Sequence, residues 1–133
     1  MNELIIVLIV LVIIYLIIIL AWKKWYKVRW SNANLQLFNK NWQRIQQEGD
    51  LRMRVIEADK LLDIMLRKRN VEGSLGEKLK KYGSNFSDLD GLWRAHKLRN
   101  KLAHEMGLKI ASAEVDVAIK TFGRAFKDLG LIE

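Results

Sequence analysis

The N-terminal part of the chain is a continuous run of apolar residues. Leu4–Trp22 holds 19 residues without a charge, a glycine or a proline. A helix of this length spans about 28 Å, close to the hydrocarbon thickness of a bilayer. A buried core helix is rarely so uniformly rich in isoleucine, leucine and valine, and a cleaved signal peptide carries its positive charges before the run. The run therefore predicts a single transmembrane helix.

Aromatic and basic residues follow this run directly. The side chains expected at the membrane interface are Trp22, Lys23, Lys24, Trp25, Tyr26 and, slightly later, Trp30. Tryptophan and tyrosine favour the bilayer interface, and lysine is attracted by anionic headgroups. The positive-inside rule places the chain after this flank in the cytoplasm and the first three residues outside. Residues 1–30 are thus predicted to form a single-pass anchor, with the lipid bilayer as its partner.

The rest of the chain alternates helical apolar stripes with short joints. Residues 31–49 carry apolar side chains at helical spacing, which predicts an amphipathic helix that connects the anchor with the domain. We expect it to pack on the domain, while a position on the membrane surface or pairing with a second copy stays open. Residues 50–133 hold stripes for about four more helices, the main ones over Leu51–Asn70, Gly91–Met106 and Ala113–Leu129. Without proline or strand alternation, the predicted fold is all-α, a small cytoplasmic helical bundle.

Polar residues and glycines mark the helix boundaries. Ser74, with Glu77 three residues later, has the form of a capping box and predicts a short helix after it. Ser87 is expected to cap the central helix, and Ser112 the last one. Gly123 falls in the middle of the last helix, where glycine costs about 1 kcal/mol relative to alanine. A close helix crossing at that position would explain it.

Composition and charge narrow the functional classes. The net charge is +8, and residues 31–133 hold 19 basic against 14 acidic side chains. Such a surplus permits RNA or anionic lipid as a partner without requiring either. The absence of cysteine excludes disulfides and thiolate metal sites, and the two histidines show no metal-ligand spacing with carboxylates. No phosphate-loop, dinucleotide or haem motif occurs, so the sequence predicts neither a metal nor a cofactor.

Trp93–Glu105, with the sequence WRAHKLRNKLAHE, is the stretch that carries candidate chemistry. It contains both histidines of the protein. At about 100° per residue, the apolar side chains of this region fill one wide arc of a helix. His96, Arg99 and Asn100 fall inside that arc. His104 lies at its edge. A guanidinium placed inside the arc must be paired, because an unpaired buried charge costs several kcal/mol.

Two carboxylates of the preceding helix are candidate partners for these groups. Asp59 borders the apolar stripe of Leu51–Asn70, and Asp63 follows one turn later on the same edge. We expect Asp59 or Asp63 to approach Arg99 or a histidine of the central helix. An alternative stays open, in which the polar residues of the central helix form a network that only fixes helix packing.

The segment Arg99-Asn100-Lys101-Leu102-Ala103-His104 resembles the motif of the HEPN superfamily, in which four to six residues, the first of them usually polar, separate an arginine from a histidine. The resemblance covers the helix pattern of about residues 50–130, with these six residues as its specific part. It implies a helical bundle that often forms a homodimer with two motifs facing each other. Many members are metal-independent ribonucleases, and others are binding modules. By the resemblance, Arg99 would stabilise phosphate charge, His104 would be the general acid or base, and Asn100 would position one of them.

Two functions follow from these observations. The first is a membrane-anchored binding module, expected to be a homodimer, that recognises RNA, a nucleotide or a protein at the cytoplasmic face. His96, Lys97 and Lys101 are its candidate contacts. The second is a ribonuclease using Arg99 and His104, since histidine titrates near neutral pH and arginine offers phosphate a planar pair of donors. A domain that binds only copies of itself is a third alternative.

Overall fold

The computed structural model describes residues 2–25 and 29–133. Its helices are α1 (Asn2–Trp25), α2 (Asn32–Gln47), α3 (Leu51–Lys68), α4 (Leu75–Tyr82), α5 (Leu89–His104) and α6 (Ser112–Asp128). A 3-10 turn over Gly83–Asn85 follows α4. No strand occurs in the two described ranges, which confirms the predicted all-α fold.

The first helix, α1, is the one that the apolar run predicts. It is long and apolar enough to span a membrane over Asn2–Trp22, and none of that window is buried against the rest of the chain. A helix with apolar side chains on every face is suited to lipid rather than to water. Tyr26, and the side chains of Lys23, Lys24 and Trp25, lie outside the described residues, so their places at the bilayer interface stay predictions.

The amphipathic helix α2 belongs to the bundle. Phe38, Trp42 and Ile45, about one turn apart, are buried. The rings of Phe38 and Trp42 meet Phe126 of α6 edge-on, with centroid distances of 4.9 and 5.0 Å. Because its large side chains enter the same core as α6, α2 packs on the domain, which is the arrangement that the sequence favoured.

The longest bundle helix, α3, lies at the centre of the fold. Helices α2, α5 and α6 all pack on it, and successive turns carry buried apolar side chains. Leu92 and Leu102 of α5 and Phe122 of α6 complete this core. The short helix α4 packs across α3 and α5. It therefore closes one side of the bundle next to the polar residues of those two helices.

Trp30, which the sequence places in the interfacial aromatic belt, packs on the bundle in the structure. Its indole Nε1 donates a hydrogen bond of 2.7 Å to the carbonyl of Leu129. The Arg69 guanidinium lies 4.2 Å from the ring centroid and donates to the same carbonyl at 2.9 Å. Burial lowers the pKa of the Arg69 guanidinium, although an arginine at such a site stays charged at neutral pH. Trp30 thus ties the chain that follows α1 to the ends of α3 and α6.

The N-cap of α4 is the one that the sequence predicts, whereas the N-cap of α5 is a different residue. Ser74 and Glu77 form the predicted capping box at the start of α4. Asp88, and not Ser87, caps α5. Ser87 instead donates its backbone N–H and its hydroxyl to the carboxylate of Asp128, at 2.8 and 2.9 Å. Ser87 is bound to Asp128 at the end of α6, so the cap of α5 is formed by Asp88.

The last helix differs from its prediction in two details. Ser112 is its first residue, and the cap position belongs to Ala111, which makes no side-chain hydrogen bond. A Cβ added at Gly123 would lie 3.7 Å from Cζ2 of Trp42. That is ordinary van der Waals contact, so α2 and α6 do not cross closely enough to require glycine there.

Candidate functional site

A cleft of about 470 Å³ opens between α3, the start of α4 and α5. Its polar side chains are Asp59, Lys60, Asp63, Arg67, His96, Arg99 and Asn100, and residues 73–76 border it on the side of α4. The spacing of His96, Arg99 and Asn100 puts them on one face of α5, turned towards α3. Most of the residues singled out in the sequence therefore meet in one place.

Four of these side chains form a closed polar ring. His96 Nδ1 donates to a carboxylate oxygen of Asp59 at 2.8 Å, and the second oxygen lies 3.4 Å from Nε of Arg99. Arg99 Nη1 donates to the amide oxygen of Asn100 at 3.0 Å. The amide nitrogen of Asn100 lies 3.5 Å from His96 Nε2. The structure thus brings Asp59 into contact with both of the partners that the sequence suggested for it.

The ring determines where the imidazole of His96 carries its proton. A carboxylate only accepts hydrogen bonds, so Nδ1, which faces Asp59, is the protonated nitrogen of the neutral imidazole. Nε2 is then the basic nitrogen, and it faces Asn100. A Cβ added at Gly76 would lie 3.9 Å from this Nε2, so the backbone of α4 passes next to it. Nε2 is therefore the nitrogen of His96 that can accept a proton, and it lies between the amide of Asn100 and the backbone of α4.

The ring orients the Arg99 side chain but leaves some of its N–H donors without a partner in the ring. Its side chain is 32% exposed, against 4% for that of Asp59. Asn100 occupies one terminal nitrogen, and the buried Nε has no aligned hydrogen-bond partner among the described residues. A guanidinium held in this way at a cleft wall can still offer donors to a carboxylate or a phosphate.

The rim of the cleft carries further charged side chains of α3. Lys60 and Arg67 are exposed on α3. Arg67 pairs with Asp63 at 2.9 Å, and Asp63 also accepts from the fully buried Lys78 at 2.7 Å. Asp63 therefore contacts Lys78 and not Arg99 or a histidine. This pair spans 15 residues and depends on α4 folding back on α3, which no local pattern reveals.

His104 lies away from the cleft. It is the last residue of α5, is exposed and does not line the cavity. Its five-residue separation from Arg99 places the two side chains about 140° apart around α5. A single chain therefore does not bring His104 beside Arg99, and a site that uses both would need a second copy.

The predicted binding residues on α5 divide between two surfaces. His96 lines the cleft, whereas Lys97 and Lys101 line a different groove between α5 and the segment that leads into α6. His96 and Lys97 are neighbours in the sequence, but their side chains lie about 100° apart around α5. A ligand in the cleft would meet His96 and Arg99, and a ligand in the other groove would meet the two lysines.

The cleft holds cationic groups that can bind an anion, next to a histidine nitrogen that can accept a proton. Among the described residues, no group of three or more histidine, cysteine, aspartate and glutamate side chains could hold a metal ion. The cleft combines the oriented guanidinium of Arg99, the exposed amine of Lys60 and the basic nitrogen of His96. No family model, no curated protein and no solved structure matches the chain, so its function is inferred from these residues.

Proposed function

We propose that this protein is a membrane-anchored helical module whose cleft binds a phosphate-bearing ligand, RNA or a nucleotide, at the cytoplasmic face of the membrane. The observation that carries the proposal is the setting of Arg99. Its guanidinium is held by Asp59 and Asn100 at the wall of an open cleft, with further donors left over. A pre-oriented planar cation of this kind is suited to two oxygens of one phosphate.

The charges around Arg99 support an anionic ligand. The charge of Asp59 is offset within the ring by the Arg99 guanidinium, and the charge of Asp63 is offset by Arg67 and the buried Lys78. The exposed amine of Lys60 has no ion-pair partner among the described residues and adds a free cation at the rim. The local field therefore favours a negatively charged group in the cleft.

Two features of the sequence support the rest of the proposal. The basic flank after the apolar run favours a cytoplasmic bundle by the positive-inside rule. The resemblance of Arg99–His104 to the HEPN motif favours RNA or a nucleotide as the ligand and a homodimer as the active form. The exposed position of His104 at the end of α5 leaves it accessible to a second copy.

The binding test uses the full chain in nanodiscs of zwitterionic lipid, so that the membrane itself contributes no charge. Fluorescein-labelled oligouridylate and a labelled nucleoside triphosphate are titrated in chelator and followed by anisotropy. We expect at least one of the two probes to bind, and Arg99→Gln to raise the Kd of that probe more than tenfold. Lys60→Gln should raise that Kd about threefold, because an exposed lysine contributes little through solvent.

Lys40→Gln is the matched control, because Lys40 is an exposed lysine of α2 outside the cleft. It should bind like the unmodified protein. Each variant is first checked for its helical circular dichroism signal. If neither probe binds, or if a folded Arg99→Gln protein binds as tightly as the unmodified one, the cleft is not a phosphate site.

A second function, metal-independent RNA cleavage, is favoured by the hydrogen bond between His96 and Asp59. Cleavage requires a base that accepts the proton of the 2′-hydroxyl, a cation that stabilises the negative charge on the phosphoryl oxygens, and a donor that protonates the leaving 5′-oxygen. The HEPN resemblance assigns the base to His104, but the cleft offers Nε2 of His96 beside Arg99. His104 would take part only if a second copy brings it to the cleft.

The two assignments are separated by incubating labelled RNA with the same nanodisc samples in chelator. Loss of cleavage in His104→Ala would support the motif histidine acting across a dimer. Loss in His96→Gln with His104→Ala unaffected would assign the base to His96. Binding without cleavage in the unmodified protein would leave the binding module as the function.

A further inference from the structure

A second groove, distinct from the cleft, runs between α5 and α6. Two adjoining depressions of about 330 and 190 Å³ share Arg94, Leu98 and Glu114, so they form one continuous α5–α6 groove. The groove follows α5 from Gly91 to Lys101, a length of about 15 Å. That length matches about ten residues of a helix lying along it.

The floor of the α5–α6 groove is aliphatic. Ala95, Leu98 and Ala118 line it together with Val117. Val117 is 66% exposed, and among the described large apolar residues after position 28 only Val117 and Met106 are more than half exposed. Val117 does not belong to the buried stripe of α6, so the bundle core does not need it. The groove therefore offers apolar surface to a partner.

The rim of the α5–α6 groove is basic. Arg94, Lys97 and Lys101 form one stripe of α5, and Lys109 extends it. None of these four cations forms an ion pair with any residue in the described part of the chain. Glu114 is the one carboxylate in the lining. The result is an elongated apolar surface with an uncompensated positive edge.

We propose that the α5–α6 groove docks an acidic amphipathic helix of a partner protein. Leucine-like side chains at i, i+3 or i+4 and i+7 of such a helix would lie on the floor around Leu98 and Val117. Carboxylates on its flank would pair with the stripe of Lys97 and Lys101, whose four-residue spacing repeats once per helix turn. The docking is independent of the cleft, which lies on another face of α5.

The lining argues against single-stranded RNA as the occupant. Proteins that bind single strands commonly stack the bases on aromatic side chains. The α5–α6 groove contains no aromatic side chain. An aliphatic floor instead buries the apolar face of a helix.

The position of the groove argues against the membrane surface as its occupant. Arg52, at the start of α3, donates to the carbonyl of Glu105 at 3.1 Å, so the end of α5 lies at this end of the bundle. Arg69, at the other end of α3, contacts Trp30, through which the chain reaches α1. The two ends of α3 are about 25 Å apart. The basic edge at Lys101 thus lies at the end of the bundle opposite to the anchor.

The test uses the full chain in nanodiscs and a displayed library of randomised helical peptides as the probe. Selection is made on the unmodified protein, with depletion on nanodiscs that hold no protein. We expect enriched peptides to be acidic and to carry apolar residues at i, i+3 or i+4 and i+7. One enriched peptide is then synthesised, and its affinity is measured by anisotropy.

Variants of exposed residues decide the outcome, since they leave the core intact. Val117→Glu should weaken peptide binding more than tenfold, and the double change Lys97→Glu with Lys101→Glu more than fivefold. Lys40→Glu, the same charge reversal on α2, should leave binding unchanged.

Three results would overturn the proposal. They are the absence of any enriched peptide, enriched peptides without acidic character, and binding that Val117→Glu does not weaken. Oligouridylate or anionic vesicles bound through Lys97 and Lys101 in place of peptides would assign the groove to RNA or lipid. Binding of phosphate ligands in the cleft is unaffected by any of these results, so the two proposals fail separately.

Discussion

The most informative single change is Asp59→Asn, because Asp59 is the buried centre of the polar ring. Its side chain is 4% exposed and contacts both His96 and Arg99. Asparagine keeps the shape of the side chain and an oxygen for the hydrogen bond from His96. It removes the negative charge that makes both contacts favourable.

The cost can be worked out from the two contacts. A hydrogen bond to a charged group contributes about 1.5–3 kcal/mol, and the 2.8 Å bond to His96 is short and partly buried. The 3.4 Å contact to Arg99 adds less than about 1 kcal/mol, because that side chain is 32% exposed and screened by solvent. Since asparagine retains part of the first contact, we expect a loss of about 2 kcal/mol in the free energy of unfolding. For a bundle of this size that lowers the Tm by roughly 8–16 °C.

The assay is thermal unfolding of the full chain in detergent, followed by circular dichroism. The matched control is Asp116→Asn, because Asp116 also faces an arginine, Arg54, but at 3.8 Å and with a side chain that is 52% exposed. The control should lower the Tm by less than about 3 °C. A Tm of Asp59→Asn within 3 °C of the unmodified protein, or a control that loses as much, would refute the view that Asp59 holds the ring together.

A double-mutant cycle separates the two halves of the ring. Combining Asp59→Asn with His96→Gln should reveal a coupling free energy of about 1–2 kcal/mol. Combining it with Arg99→Met should reveal less than about 1 kcal/mol. Equal couplings would mean that the exposed guanidinium is held as firmly as the imidazole, contrary to the distances.

Three further changes test the packing outside the ring. Gly123→Ala should stabilise the protein by up to about 1 kcal/mol in urea unfolding, because alanine favours a helix and the added methyl group meets Trp42 at ordinary contact distance. A destabilised variant would mean that α2 and α6 cross more closely than this distance indicates. Hydrogen bonds from Ser74 lower the pKa of Glu77, so this carboxylate stabilises the start of α4 above its ordinary pKa of about 4.5 and ceases to do so as the pH falls below it. Glu77→Gln should accordingly flatten the dependence of the urea midpoint on pH between pH 3 and 6, and an unchanged pH profile would contradict the capping role. Lys78→Met should lower the free energy of unfolding by about 1–3 kcal/mol in the same urea assay, because the carboxylate and the carbonyl of Asp63 lose their buried donor. An unchanged urea midpoint would show that neither group needs this donor.

The helices could be predicted because their pattern is local. Apolar residues at helical spacing define α2, α3, α5 and α6, and the same periodicity puts His96, Arg99 and Asn100 on one face. Asp59 could be named as a partner because it borders the apolar stripe of α3. These predictions need only the period of a helix and the cost of an unpaired buried charge.

The features that the sequence missed all depend on contacts between distant segments. The neighbour of Asp63 is decided by how α4 folds back, which brings Lys78 to it. The position of Trp30 is decided by the end of α6, since Leu129 supplies its hydrogen-bond acceptor. The helix pattern puts His104 at the edge of the apolar arc, but α5 ends at this residue and its side chain is exposed.

The attachment of Trp30 to the end of α6 restricts where the protein can act. Only five residues lead from the end of α1 to Trp30, which allows a span of at most about 18 Å. Asp59 lies ten residues before Arg69 on α3, about 15 Å further along the bundle. A ligand of the cleft is therefore held on the order of a few tens of ångströms from the end of α1. With α1 in a bilayer, as proposed, copies would search for each other in a thin layer instead of a volume, and an encounter too weak to persist between free domains could last between tethered ones.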